Sequence, residues 1–150
     1  MDSRSGFCGQ SWNEVSLLAH RQGQVVSAQV RFAAGQVCLV EVSVGSDLEF
    51  KGEGPDLFEA LAPLRRRLEG DGVLLACHGS RRDVFPSPML RQASNGRLAY
   101  VLTIPRSAAK PATVDIFAAA PELAELGSVT EQRDWFDRWR NSGIGQEGSQ

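Results

Sequence analysis

Residues 24 to 51 alternate apolar and polar side chains in three short runs separated by glycine turns, and few arrangements of a chain can satisfy that pattern. In VVSAQVRF, Val26, Ala28, Val30 and Phe32 alternate with Ser27, Gln29 and Arg31. In QVCLVEVSV, Cys38, Val40, Val42 and Val44 share one face while Glu41 and Ser43 take the other. Leu48 and Phe50 then alternate with Asp47, Glu49 and Lys51. A period of two is that of a strand with one buried and one wet face. The connections Ala34-Gly35 and Gly45-Ser46-Asp47 are too short for a crossover, so neighbouring strands must run antiparallel. EVSLLAH (14–20), followed by the turn signal Arg21-Gln22-Gly23, adds a further strand ahead of them. The predicted N-terminal unit is therefore a meander, with Cys38 as a small core residue rather than a reactive thiol.

A sheet with one apolar face needs a cover. The stretch GEGPDLFEALAPLRRRLEGDG places Leu57, Leu61, Leu64 and Leu68 on one helical stripe, with Pro55 suited to the first helical position and Asp56 and Glu59 near the positive end of the helix dipole. Pro63 removes a backbone donor from the helix interior, which predicts a kinked helix ended by Gly70-Asp71-Gly72. Val73–Ala76 reads as a short buried strand, RLAYVLTI (97–104) as another after Ser94-Asn95-Gly96, and TVDIF (113–117) as a last one. Ser128 and Glu131 have the spacing of a capping box, opening a helix on which Trp135, Phe136 and Trp139 lie on one side and are expected to pack on the domain, with a partner-binding aromatic face as the lesser alternative. The fold class expected is α+β: an antiparallel sheet, made of the meander plus later strands, covered on one face by a Pro-kinked helix and a C-terminal helix. The 150 residues fit one domain, 1–150, with an ordered core over about 12–141 and loose ends at 1–11 and 143–150.

Charge and cysteine usage exclude several functions. The net charge is −2, so no global field favours nucleic acid or a membrane surface. The first ten residues lack the apolar run of a signal peptide, nothing hydrophobic precedes Cys8 as a lipoprotein cysteine would need, and no stretch approaches a membrane span. Three widely spaced cysteines, Cys8, Cys38 and Cys77, do not form a disulfide framework. A cytoplasmic, reduced protein is expected, without a metal or cofactor.

The stretch LLACHGSRRDVFPSPMLRQ, residues 74–92, is the candidate site. Cys77 and His78 are adjacent, and neighbours on a strand face opposite ways, so they do not form a nucleophile–base pair there. No second Cys or His stands at ligand spacing, which argues against zinc. Arg81, Arg82, Arg91 and Arg97 face only Asp83 across residues 81–97, a local excess of positive charge. Gly79 and Ser80 precede them with backbone amides and a hydroxyl, a combination able to bind a phosphate or carboxylate. The plainer alternative is a solvated loop in which Arg81 or Arg82 pairs with Asp83 or with an acid such as Glu53. Pro86 and Pro88 stiffen the segment, and Phe85 is either an apolar anchor on that loop or a plug for the core.

The run Gly72-Val73-Leu74-Leu75, the residues Cys77, Gly79, Arg81, Asp83-Val84-Phe85-Pro86-Ser87 and Met89, then Arg97, Ala99-Tyr100-Val101-Leu102 and Val114-Asp115-Ile116-Phe117, resemble small uncharacterised proteins of actinomycete-type bacteria. The resemblance spans Gly52 to Asn141. It implies a compact stand-alone bacterial domain of the sort that serves as an immunity protein or adaptor.

Two functions compete. One is a non-enzymatic interaction domain that presents Arg81, Arg82 and Arg91 as charged anchors, with Phe85, to an acidic protein partner. The other is a small anion- or phosphate-binding domain, with or without catalysis, built on Gly79–Arg82, with Ser80 and His78 in its site and His78 as the one proton-transfer group. RNA or DNA binding ranks below both, since Tyr100 belongs to an apolar strand rather than to a stacking platform.

Overall fold

A computed structural model describes residues 11–120 and 122–142. The meander is formed by β1 (Asn13–Arg21), β2 (Gln24–Ala33), β3 (Cys38–Val44) and β4 (Leu48–Gly54), each antiparallel to the next. Helix α1 (Leu57–Gly70) follows, and the chain returns as β5 (Val73–Leu75) on the far side of β1, so the five-stranded sheet has the order β4-β3-β2-β1-β5. A second, three-stranded sheet holds β6 (Val84–Phe85), β7 (Leu98–Val101) and β8 (Thr113–Asp115). Helix α2 (Pro88–Ser94) joins β6 to β7, and α3 (Val129–Ser142) closes the described chain. The class is α+β, as the alternation and the helical stripe require.

The predicted inward faces are the buried ones. Ala28, Val30, Phe32, Cys38, Val40, Val42 and Val44 are all at most 3% exposed, and the leucine stripe of α1 packs on them. The two sheets share this core, tied by the parallel stack of Phe32 on Phe117, with ring centroids 3.9 Å apart.

Several boundaries differ from the sequence expectation. Strand β4 runs on to Gly54, because Gly52 and Gly54 continue its inner face opposite Val40 and Cys38. Pro55 stands outside α1, and Asp56 is the cap, its Oδ1 accepting the Glu59 amide at 2.8 Å. Helix α1 is continuous through Pro63, which is exposed. The segment 78–92 is not an extended loop. It holds a 3₁₀ turn at His78–Ser80, then β6, then α2, with Pro88 as the first helical residue and the Ser87 hydroxyl capping Leu90 N–H at 3.1 Å. Strand β8 stops at Asp115, whose Oδ1 accepts the Phe117 amide at 2.9 Å and turns the chain. The ends expected to be loose, with Cys8, lie outside the described residues, apart from Ser11.

Candidate functional site

The arginines predicted to form an unneutralised rim are each already held. Arg81 donates through Nε and Nη2 to both oxygens of Asp83, each at 3.0 Å, lies 3.6 Å from Glu125, and donates through Nη1 to His78 Nδ1 at 3.2 Å. Arg91 bonds Asp56 at 3.0 Å and Glu59 at 2.8 Å, in the first turn of α1. Arg97 grips Asp115 of β8 and covers the Phe32 ring. Arg82 has no carboxylate, but its guanidinium is bonded to the Ala124 carbonyl. The expected excess of positive charge is thereby corrected. Asp56, Glu59, Asp115 and Glu125 lie outside residues 81–97, and only folding brings them in.

The Gly79–Arg82 anion cradle is corrected too. The amides of His78 to Arg82 donate, in order, to the carbonyls of Ala118, Ile116, Cys77, His78 and Glu125, which leaves none for a ligand. Ser80 is buried with its hydroxyl 3.5 Å from Cys77 Sγ. Gly79 is small for packing, since a Cβ there would lie 2.9 Å from Leu61 and 3.0 Å from Ile116. His78 is half-buried, and burial first, then Arg81, holds its pKa below the usual histidine value. Full burial pushes the Cys77 thiol up. A neutral ring occupied by Arg81 and an enclosed, protonated thiol do not make a nucleophilic site.

Beneath this segment lies a polar knot that sequence reasoning missed. Arg65, 4% exposed in the middle of α1, donates to Gly79 O at 3.0 Å, Gln132 Oε1 at 2.7 Å and Gly127 O at 2.9 Å. Gln132 of α3 returns bonds to Gly79 O at 3.0 Å and Arg81 O at 2.8 Å. No carboxylate takes part in these bonds. Five carbonyl-type bonds disperse the charge and lock α1, the 79–81 turn and α3 together.

That lock fixes the orientation of α3. Its N-terminus carries the predicted capping box, with Glu131 N–H donating to the Ser128 hydroxyl at 3.0 Å and Ser128 N–H to Glu131 Oε1 at 2.8 Å. Trp135 Nε1 donates to Leu102 O at 2.8 Å. The inner side of α3 completes an aromatic ladder in which Phe58 meets Phe85 edge-on, Phe85 stacks on Phe136 at 4.0 Å and Phe136 lies 6.1 Å from Trp139. Phe85 is thus a core plug, 8% exposed, and not an exposed anchor.

Guanidinium groups cover this ladder. Arg133 lies 5.6 Å from the Phe85 ring centre, Arg140 5.4 Å from Phe136, Arg138 5.2 Å from Trp135 and Arg106 4.2 Å from Trp139. Helical spacing explains two of them: Arg140 stands four after Phe136 and Arg138 three after Trp135, the separations that bring side chains together on a helix, whereas Arg133 reaches across to the Phe85 ring of β6. Each such contact contributes about 0.5–1 kcal/mol at an exposed site. None of these four arginines forms an ion pair among the described residues. Arg133, Arg138 and Arg140 are exposed. The cations without an ion pair among the described residues therefore include a set on α3, on rings for which the sequence reading put packing ahead of partner binding. The interleaving in RDWFDRWR was the available signal.

Among the described residues, no three His, Cys, Asp or Glu side chains gather as a metal site, and no helix is long and apolar enough to cross a membrane. No protein-family model matches the chain, and no curated protein is detectably similar to it.

Proposed function

We propose that this protein is a non-enzymatic interaction domain that binds an acidic protein surface through Arg133, Arg138 and Arg140, as an immunity-type or adaptor protein would. The observation that carries the reading is that these three exposed guanidiniums rest on aromatic rings and have no carboxylate partner among the described residues. Arginine is always charged and its fork matches a carboxylate, so a partner aspartate or glutamate supplies the missing bonds. A side chain already laid on a ring has less rotamer freedom to lose on binding, and arginine and tryptophan are the residues that dominate interface energetics. Of the anchors expected from sequence, Arg81 and Arg91 leave this role because their acids are intramolecular, as does Arg97 of the same segment, and Arg82 because its guanidinium is bonded to the Ala124 carbonyl.

Charge pattern favours a protein over a nucleic acid. Glu131, Asp134 and Asp137 alternate with the arginines along α3, which suits a partner of mixed charge and repels a continuous polyanion. The faces of Phe85, Phe136 and Trp135 carry guanidiniums, so they are poor platforms for base stacking. The proposal includes a reducing bacterial cytoplasm, with which the free thiols of Cys38 and Cys77 are compatible.

Affinity capture from native lysate with the full chain and with an R133E/R138E/R140E chain tests the reading. A stoichiometric partner with an acidic face should be recovered by the first and lost by the second. Equal recovery by both would place the interface elsewhere, and recovery of RNA in preference to protein would reverse the assignment.

A further inference from the structure

A cavity of about 530 Å³ opens beside the C-terminal half of α3, walled by Tyr100 and Val101 of β7, by Trp139, and by the connection that runs from Thr103 to Ala112. Its volume falls within the range of small-molecule sites. Most of its wall is apolar, and among the described residues its charged lining side chains are Arg106 and Lys110, with no acidic one. Neither cation forms an ion pair among the described residues.

Arg106 is held there by its neighbours. Its backbone N–H donates to the Ser142 hydroxyl at 3.1 Å, that hydroxyl donates to Trp139 O at 2.8 Å, and the guanidinium lies 4.2 Å from the centre of the Trp139 ring. Its Nε is enclosed and has no acceptor among the described residues. An enclosed donor without a partner is destabilising and rare in folded proteins, so this guanidinium on the cavity wall has bonding capacity that the described residues do not use. Tyr100, Thr103 and Ser107 add hydroxyl groups around the same opening.

We infer that this cavity binds a small organic anion, a ring-sized apolar body bearing one carboxylate or phosphate group, with the anionic group on Arg106 and Lys110. The guanidinium fork takes either oxyanion, Lys110 supplies a second charge at the rim, and the apolar wall sorts ligands by their body. The site is separate from the acidic-partner face, whose arginines do not line the cavity.

The test is a titration of the ¹⁵N-labelled full chain with benzoate, cyclohexanecarboxylate, phenyl phosphate and benzamide, read at the Trp139 indole and at the amides of Tyr100, Arg106 and Lys110. Saturable shifts with the anions and binding of neutral benzamide at least about tenfold weaker are expected, a ratio of roughly 1.4 kcal/mol. Benzoate against phenyl phosphate decides which oxyanion the site takes. R106Q should weaken anion binding by about tenfold or more and K110E should weaken it as well, so the second variant decides if the first fails to fold. Shifts that do not saturate at millimolar anion, benzamide binding as tightly as benzoate, or unchanged affinity in a folded R106Q or K110E chain would overturn the inference.

Discussion

Arg65 ties α1 to two distant parts of the chain through a single side chain. Its guanidinium is enclosed, burial lowers its pKa, and it is bonded to Gly79, Gly127 and Gln132. Replacing it with methionine keeps the apolar stem but leaves the Gly127 carbonyl and Gln132 Oε1 without a donor. Arg65→Met should destabilise the fold by about 3 kcal/mol, measured by denaturant titration, and a loss below about 1 kcal/mol would mean the knot relaxes freely. His78 gives a second residue-level prediction. Its folded pKa lies below the ordinary 6.5, so at acid pH the unfolded ring takes up a proton that the folded ring refuses. Its contribution is complete above that ordinary value, falls as the pH drops toward the folded value, and then levels off. Denaturation midpoints of the wild type and of His78→Gln between about pH 5 and 7.5 should differ in slope by this step, and identical slopes would exclude it. At this scale the sequence was a poor guide. Arg65 sits in an Arg65-Arg66-Arg67 run that reads as a solvated helix flank, and nothing local marks which of the three turns inward.

The contact of α1 with β4 depends on what two glycines lack. A Cβ on Gly52 would come 2.2 Å from the Ala60 carbonyl oxygen and 3.3 Å from Leu64, and one on Gly54 would come 2.9 Å from the Ala60 amide nitrogen. Helix and strand therefore approach as closely as two backbones allow. Gly52→Ala must push α1 away from the sheet and should destabilise by about 3 kcal/mol, whereas Gly70→Ala, with nothing near it, should change stability little. Thermal melts of the two variants side by side check this, and equal melting temperatures would contradict it. Elements were the most legible scale. The strands of the meander, the leucine stripe and the capping box follow from periodicities that any packed fold must respect. What escaped were features set by tertiary contact. Gly52 and Gly54 fell outside the alternation because glycine has no apolar signature, although they keep the register of Leu48 and Phe50. Helix α2 was hidden by Pro86 and Pro88, since a proline at a first helical turn looks the same in sequence as one in a stiff loop.

Across the whole molecule, the distribution of acids decides which arginines remain available. A net charge of −2 and a local count over residues 81–97 both mislead, because the fold carries Asp56, Glu59, Asp115 and Glu125 to the arginines of that segment and, among the described residues, none into an ion pair with the exposed arginines of α3. The candidate site was thus half legible: its chemistry, arginine with an aromatic support, could be read, but its place on the surface depended on contacts between elements far apart in the chain. The arginine side-chain Nε–H resonances of the ¹⁵N-labelled protein, followed during titration with poly-L-glutamate at low salt, measure that distribution directly. The account predicts progressive shifts for Arg133, Arg138 and Arg140, reversed by added salt, while Arg81, Arg91 and Arg97 stay where they are. Shifts at Arg81, Arg91 and Arg97 with the α3 resonances unmoved would contradict it.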